Sequence, residues 1–328
     1  MSRDALRSTA YASGAIGLRH RLRHAPTLTV AMFHRVVDPA SQAARHADPI
    51  YTLPAPLFAA CLPVFRRHYA VVSLAQVQAA IAGGAALPAR ALLLTFDDGW
   101  QDFATTALPL LHRARLPATV FLATDAIATP GPWWQEVLLR ALREGHDFRA
   151  LWANAGGTAE QIPQDPPPLA LLLRYAALAP DIRARAIAPL RAADLAAEGD
   201  HMLGMAQMPA LAAQGVDFGG HGAAHLPMSL MADPAGDLAR CRAALGPQIT
   251  ALSFPHGRYN SDCVQAARRE GFATLFTSDA CINAAPGGRP AALLGRISVE
   301  ASAITDAHGT FDAARLAAWL MHRPVRAL

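Results

Sequence analysis

Short apolar runs alternate with helix-like segments along most of the chain, and this alternation restricts the fold more than any other feature of the sequence. The apolar runs are four to seven residues long, as buried strands are, and the segments between them carry the apolar spacing of amphipathic helices. Strands that alternate with helices in this way pair in parallel, because each helix carries the chain back to the start of the next strand. The pattern therefore predicts an α/β fold built on a parallel sheet.

The elements can be placed along the chain with one interruption. The predicted strands are Leu28–Phe33, Ala70–Ser73, Ala91–Phe96, Ala118–Ala123, Val216–Gly219, Ile249–Phe254, Ala273–Phe276 and Leu293–Val299. The predicted helices are Leu57–His68, Leu74–Ala82, Phe103–Arg113, Asp262–Gly271 and a closing helix, Phe311–Leu320. Between residues 130 and 201 the alternation fails, and a Pro-rich patch separates two Ala/Leu/Arg-rich stretches. We predict a helical insertion there, rising from the rim of a barrel.

Composition favours a folded enzyme and excludes several kinds of chemistry. The 328 residues are 52% hydrophobic and 16% charged, which is enough for a large core. Every one of the 29 basic residues is Arg, so no lysine exists for a Schiff base or a phosphate loop. The chain carries a net charge of +4, but no Arg-rich block lies near interleaved aromatic residues, so nucleic acid is not predicted as a partner. The four cysteines form no C-x-x-C pair, which predicts reduced, buried thiols.

The N-terminal residues 1–26 form a basic segment with helical character. The apolar run Ala10–Leu18 is too short and too rich in small residues for a secretory signal or a membrane span. The basic cluster Arg19–His24 is typical of a solvated helix end, and contact with anionic lipid is the alternative. We therefore predict a cytoplasmic protein, with peripheral contact at the inner face of the membrane as the alternative.

The first motif with chemical content is Thr95-Phe96-Asp97-Asp98-Gly99, directly after a buried apolar run. Barrel enzymes place catalytic groups at the C-terminal ends of such strands. Adjacent side chains there point in different directions, so Asp97 and Asp98 suit two separate roles better than one shared site. The alternative is an Asp-Asp-Gly turn that caps the helix beginning near Phe103.

The second motif is His221-Gly222-Ala223-Ala224-His225, which follows the predicted strand Val216–Gly219. Spacing of i and i+4 is expected to put both imidazoles on one face of a single turn, where they can share a metal ion. Small residues between them would leave the metal accessible. A histidine at either position could instead be a satisfied core or surface group, but the pair at a strand end favours ligands.

A third segment reads Ser253-Phe254-Pro255-His256-Gly257-Arg258-Tyr259. With the two earlier motifs in this order, the chain resembles the polysaccharide deacetylases with a NodB-like domain, carbohydrate esterase family four. The resemblance covers about residues 27–300 and includes the early segment Phe33–Val36 and Pro132–Trp134. It implies a distorted (β/α) barrel of about seven strands over residues 27–302, with the insertion at about 131–201 and a C-terminal helix in 303–328.

The resemblance also implies a reaction, a cofactor and a substrate. Asp97 would be the catalytic base, and Asp98, His221 and His225 would hold a divalent metal, foremost Zn²⁺, with Co²⁺, Ni²⁺ or Mn²⁺ as alternatives. The reaction would be hydrolysis of the N-acetyl group of a carbohydrate by metal-activated water. The backbone N–H of His256 would help to stabilise the oxyanion. A metal hydrolase of another C–N or ester bond, or a catalytically silent carbohydrate-binding relative, are the alternatives.

Two positions depart from the family pattern. Ser253 stands where the family often has an Arg that tunes the base, and Arg296-Ile297-Ser298 stands where a Leu-x-His motif often supplies the general acid. His34 is the preferred candidate for that acid and His256 the alternative. Arg296 would pair with Asp97 or close the barrel. The predicted substrate-binding residues are Pro255, Gly257, Tyr259, Trp133, Trp134 and Arg296. For the two tryptophans, anchoring of the insertion is the alternative role.

Overall fold

A computed structural model describes residues 3–23, 26–128, 132–190 and 202–327. The chain forms an α/β fold around a mostly parallel sheet, as predicted. The strands are β1 (Thr27–Phe33), β2 (Arg35–Val37), β3 (Thr52–Pro54), β4 (Ala70–Val72), β5 (Ala91–Phe96), β6 (Ala118–Leu122), β7 (Val216–Gly220), β8 (Ala251–Ser253), β9 (Thr274–Phe276), β10 (Ile282–Ala284), β11 (Leu293–Leu294), β12 (Ile297–Ser298) and β13 (Val325–Arg326).

The helices cover the outside of the sheet or lie in the insertion. They are α1 (Arg3–Ala12), α2 (Ala15–Arg23), α3 (Gln42–His46), α4 (Ala55–His68), α5 (Leu74–Ile81), α6 (Leu108–Ala114), α7 (Thr124–Ile127), α8 (Trp134–Arg143), α9 (Phe148–Ala153), α10 (Pro168–Ala176), α11 (Pro180–Leu190), α12 (Met208–Ala213), α13 (Pro234–Leu245), α14 (Ser261–Arg269), α15 (Ala301–Ile304) and α16 (Ala313–Met321).

The sheet closes into a barrel at a seam between β9 and β1. Neighbouring strands follow the order β11-β9-β8-β7-β6-β5-β1, and all these pairings are parallel. At the seam, β11 pairs with β9, and β12, two residues further on, pairs with β1. Residues 293–298 thus fill the seventh position of the ring. This is the distorted barrel of about seven strands that the family resemblance implies.

Alternation of side chains along each strand separates the barrel interior from its outer surface. On β1, Leu28 and Val30 belong to a buried cluster shared with strands all round the ring, whereas Ala31 and Phe33 pack with the helices outside. On β5 every residue is buried, because both faces are covered. The inner cluster, which fills the ring, includes Leu28, Val30, Ala91, Leu93, Phe121, Ala251, Phe276 and Leu294.

Several predicted elements differ from the observed ones. The predicted strand Leu293–Val299 is broken into β11 and β12, because the chain crosses the seam there and changes partner. The predicted helix Phe103–Arg113 begins with a π-helical turn, Phe103–Ala107, before α6. The parallel pair β2–β3 and the antiparallel pair β1–β10 were not predicted, since three-residue strands leave little periodicity to recognise.

Within residues 132–190, the part of the predicted insertion that the structure describes, four α-helices, α8 to α11, lie between β6 and β7. They surround a buried cluster of their own, which includes Leu138, Phe148, Tyr175 and Ile187. Trp134 packs against both this cluster and the main core. Among the described residues, no helix is long and apolar enough to cross a membrane. The four cysteines are buried and unpaired, in agreement with the prediction from their spacing.

Candidate active site

Asp97 and Asp98 follow β5 directly, and their side chains diverge. The N–H of Asp97 donates to Phe33 O of the neighbouring β1 at 2.9 Å, which continues the sheet by one residue. Asp98 has a left-handed backbone, with φ of 76°, so the chain turns sharply there. Asp97 consequently faces Arg296 while Asp98 faces the histidines. Neither carboxylate caps the following helix, so the capping alternative is wrong.

Arg296 holds Asp97 in a bidentate ion pair. Nη1 donates to Asp97 Oδ1 at 2.6 Å and Nη2 to Asp97 Oδ2 at 2.7 Å. The same guanidinium donates to Ser253 Oγ at 2.7 Å and to Thr277 O at 2.9 Å, and the side chain is 1% exposed. Of the three roles considered from sequence, namely pairing with Asp97, closing the barrel and binding substrate, pairing with Asp97 is therefore the observed one. Ser253 accepts a hydrogen bond from the Arg296 guanidinium and so helps to hold this cation beside Asp97.

The two histidines meet as the spacing predicts, but not on a helical turn. Residues 221–225 form an irregular loop after β7, with left-handed backbone at Gly222 (φ 70°) and His225 (φ 51°). Asp237, from α13, accepts the N–H groups of Ala223 and Ala224 at 2.8 and 2.9 Å and so fixes the loop. A Cβ on Gly222 would lie 2.9 Å from the Asp237 carboxylate, so the residue must be glycine. The expectation of a single regular turn is corrected accordingly.

Asp98, His221 and His225 present three ligand atoms that lie within 4.8 Å of one another. The Nδ1 of His221 lies 2.8 Å from Ser253 O, and since a carbonyl oxygen only accepts, this nitrogen carries the proton. The Nδ1 of His225 faces Gln135 Oε1 at 3.3 Å in the same way. Both Nε2 atoms are thereby turned towards Asp98 Oδ1, at 3.5 and 3.1 Å.

The donor set fits a divalent cation. Asp98 Oδ1 is buried and, in the described part of the chain, accepts no hydrogen bond despite the two nearby nitrogens. A carboxylate oxygen and two imidazole nitrogens that converge without a shared hydrogen form a site that a metal completes. Histidines that bind metals in proteins commonly donate their other N–H to a carbonyl or carboxylate, as both do here. Two histidines and one carboxylate also leave positions open for water and substrate.

Electrostatics keeps these groups in the forms that metal binding needs. Burial lowers the pKa of His221 to about 4, against the opposing effect of Asp97, so its Nε2 is unprotonated at neutral pH. Burial alone would raise the pKa of Asp97, but Arg296 and His221 outweigh it and the pKa lies below its usual value. The pKa of Asp98 is likewise lowered, because His225 and the other nearby imidazoles outweigh burial. Both carboxylates are therefore ionised.

Two contacts in the site were missed from sequence. Trp100 Nε1 donates to Asp98 Oδ2 at 3.0 Å, and Arg35 stacks on the Trp100 ring at 4.2 Å. Gln135, on α8 of the insertion, reaches His225. Trp100 is adjacent to the Asp-Asp-Gly motif and could have been suspected on that ground, whereas the sequence around Gln135 contains no feature that points to a role.

His34 and His256 lie on different sides of the candidate metal site. His34 follows β1, is half-buried and lines a hollow with Tyr51, whose ring lies 4.8 Å from its own. His34 is one of the groups that lower the pKa of Asp97 and of Asp98. His256 packs its ring 4.6 Å from that of His225, and its Nε2 lies 3.3 Å from His225 O. Judged by position alone, both histidines remain candidates for the general acid.

The predicted substrate-binding residues have different environments. Pro255 is buried in a short turn with Gly257, and Tyr259 donates to Asp279 at 2.8 Å while its ring stacks on Phe254. Trp133 is 8% exposed and meets the His225 ring edge-on at 4.8 Å. Trp134 is half-buried beneath Arg183. For the two tryptophans, these contacts favour the alternative of anchoring the insertion.

Comparison with known proteins bears directly on the family. A family model described as polysaccharide deacetylase matches residues 84–150, which include the Asp97–Asp98 motif. The poly-β-1,6-N-acetyl-D-glucosamine N-deacetylases of Escherichia coli K12 and O157:H7 are each 48% identical over 62 residues. That match covers 19% of this chain and 9% of each relative. The chain therefore spans a small part of the length of these relatives.

Solved structures match over most of the chain. IcaB from Ammonifex degensii superposes with a TM-score of 0.57 at 20% identity, over 90% of this chain and 97% of that one. A de-N-acetylase from Aggregatibacter actinomycetemcomitans gives 0.55 at 17% identity, over 83% and 95%. The Streptococcus pyogenes deacetylase PplD gives 0.54 at 17% identity, over 84% and 92%. At these identities the likeness concerns the fold. Together the comparisons confirm the resemblance to the polysaccharide deacetylases.

Proposed function

We propose that this polysaccharide-deacetylase-like chain is a metal-dependent enzyme that removes N-acetyl groups from a carbohydrate. The observation that carries the proposal is the convergence of Asp98, His221 and His225 on one point, directly beside an Asp97 that is held by Arg296. A silent binding protein would have no use for a second buried carboxylate with its own dedicated cation. The named relatives act on N-acetylated polysaccharide, which supports the same reaction here.

The cation that we propose is Zn²⁺, because it accepts two histidines and one carboxylate while keeping positions open. Co²⁺, Ni²⁺ and Mn²⁺ also suit nitrogen and oxygen ligands and are the alternatives. Asp98, His221 and His225 would hold it. When bound, such a cation would acidify the attacking water and polarise the acetamide carbonyl.

The chain's own residues account for the proton transfers. Asp97 accepts the proton of the attacking water, and Arg296 keeps the Asp97 carboxylate ionised and fixed in direction. The backbone N–H of His256 would donate to the oxyanion, and its left-handed φ of 56° marks a sharp turn at that point. His34 delivers a proton to the departing nitrogen as the C–N bond breaks. The products are acetate and a sugar with a free amino group.

The substrate that we propose is a chain containing N-acetylated hexosamine. Beside His34, the large apolar residues Ile50 and Tyr51 are 60% and 51% exposed. An aromatic ring that is half exposed at the edge of an active site suits stacking on a sugar face. Pro255 and Gly257 flank His256 in the short turn after β8, and Tyr259 follows that turn.

Acetate release tests the proposed reaction. Purified protein is expected to carry about one divalent metal per chain and to release acetate from N-acetylated oligosaccharides. O-acetyl esters and cyclic amides of similar size serve as the comparison, because another metal hydrolase on this barrel would prefer one of them. Metal without acetate release from any N-acetylated glycan would refute the proposed substrate class.

We also propose that the protein works in the cytoplasm and contacts the membrane surface through α2. Leu18 and Leu22, one helical turn apart, are 59% and 75% exposed, and Arg19 and Arg21 beside them are exposed as well. Exposed leucines between cations suit an anionic lipid surface. Co-sedimentation with anionic vesicles should exceed that with neutral ones, and should fall when Leu18 and Leu22 are both changed to Ser. Equal binding of the variant and the parent protein would contradict this contact.

A further inference from the structure

Gln135 is a buried polar residue that the insertion places in the candidate metal site. It is the second residue of α8, and its side chain is 2% exposed. A buried amide must find hydrogen-bond partners, and a leucine would fill the same space without that requirement. The partners that Gln135 finds lie in the His221–His225 loop, about 90 residues away along the chain.

The contacts of Gln135 determine the direction of its amide. Its Nε2 donates to Ala224 O at 2.8 Å and to His225 O at 3.3 Å, and carbonyl oxygens can only accept. The remaining atom, Oε1, therefore faces His225 Nδ1 at 3.3 Å as an acceptor. This arrangement keeps the proton of His225 on Nδ1 and leaves Nε2 free to face Asp98.

Gln135 also braces the backbone of the residue that it orients. His225 has φ of 51°, a left-handed conformation that a residue with a side chain adopts at a cost. The donors of Gln135 hold the carbonyl groups on both sides of that strained position. Trp133, two residues before Gln135, packs edge-on against the His225 ring. Residues of the insertion thus determine the ring orientation, the tautomer and the backbone conformation of His225.

We propose that Gln135 is a positioning residue for the metal, and that the helical insertion sets metal affinity through it. The inference rests on the proposed function, because it assigns a role towards the metal that this function requires. The barrel supplies all three ligands, and the insertion determines how well one of them is aimed. A residue outside the barrel and outside the three motifs thereby becomes part of the site.

The experiment compares two identical substitutions within the insertion. Gln135→Leu removes every hydrogen bond that the Gln135 side chain makes to the His225 loop. Gln161→Leu is the matched control, because Gln161 accepts from Trp152 Nε1 at 2.7 Å inside the insertion and does not touch the site. The readout is the Kd for Zn²⁺, obtained by competition with a chromophoric chelator on the full chain, with the thermal unfolding midpoint of the metal-free protein recorded alongside.

We expect Gln135→Leu to weaken Zn²⁺ binding about 10–100-fold, as loss of a partner to a metal-bound histidine typically does. Gln161→Leu is expected to keep the Kd of the parent protein even if its unfolding midpoint falls. Gln135→Glu, which keeps an acceptor for His225 Nδ1 but loses the amide donors, should bind Zn²⁺ more tightly than Gln135→Leu. It also provides the comparison with the parent protein if Gln135→Leu does not fold.

Each other outcome overturns the inference. Equal Kd values for Gln135→Leu and the parent protein would show that Gln135 does not position the ligand. Equal losses in both Gln→Leu variants would assign the effect to packing of the insertion as a whole. If Gln135→Glu bound Zn²⁺ no more tightly than Gln135→Leu, the role of Gln135 Oε1 as an acceptor for His225 Nδ1 would be refuted. A parent protein that binds no divalent cation would instead refute the proposed function.

Discussion

Asp97→Asn is expected to lower kcat by about 10²–10⁴-fold while leaving metal content unchanged, because only the acceptor of the water's proton is removed. Asn has nearly the same shape as Asp and can still accept from Arg296, but its amide cannot take up a proton at neutral pH. Arg296 then keeps a buried charge without its counter-ion, so the unfolding midpoint should fall as well. Metal analysis, kcat on an N-acetylated oligosaccharide and thermal unfolding measure the three effects.

Asp98→Asn is the matched control, one residue away and with the same chemical change. Asp98 is a ligand in the proposed site and has no arginine partner among the described contacts. Replacing its carboxylate by an amide should therefore weaken metal binding. Added metal should restore part of the activity of Asp98→Asn and none of that of Asp97→Asn. If both variants kept the metal and lost activity equally, the division of roles between the two carboxylates would be wrong.

His34→Ala is expected to lower amide hydrolysis by at least about 10²-fold without removing the metal, because an amine does not leave unprotonated. The half-buried position after β1, within the electrostatic reach of both carboxylates, supports His34 as the donor. An activated ester has a leaving group that needs little protonation. Its hydrolysis should therefore survive the substitution far better than that of the amide, and the ratio of the two rates is the measurement.

His256→Ala provides the comparison. Its ring packs on His225, but the role proposed for this residue belongs to the backbone N–H, which alanine retains. The loss should therefore be smaller than in His34→Ala. Equal losses of amide and ester hydrolysis in His34→Ala would assign His34 a positioning role. A larger loss in His256→Ala than in His34→Ala would identify His256 as the general acid.

The parallel strands are predictable because apolar runs are a local pattern, and the resemblance to the polysaccharide deacetylases implies that these strands form a ring. Parallel strands bring their C-terminal ends to one edge, and from the fold we infer that Asp97, Asp98, His221 and His225 meet at the mouth of the barrel. The irregular geometry of the histidine loop was not predictable, since it depends on Asp237, which belongs to a later helix.

Arg296 and Gln135 show where local patterns stop being informative. Arg296 lies 199 residues from Asp97, and a lone arginine near the end of the barrel is compatible with pairing or with simple closure. Gln135 sits in a stretch without strand or helix alternation that would orient it relative to the barrel. Only the three-dimensional arrangement gives either residue its partner, because neither has a recognisable spacing from the motifs.

The ion pair at the barrel seam has a consequence for synthesis of the protein. A ribosome makes Asp97 early, and Arg296 emerges only with the segment that carries β11 and β12 and closes the ring. Until then Asp97 lacks the arginine that forms a bidentate ion pair with its carboxylate, which disfavours burial of that carboxylate. The ion pair that holds Asp97 can therefore form only with the segment that closes the ring, and a chain that ends before this segment lacks the positioned carboxylate of the full protein.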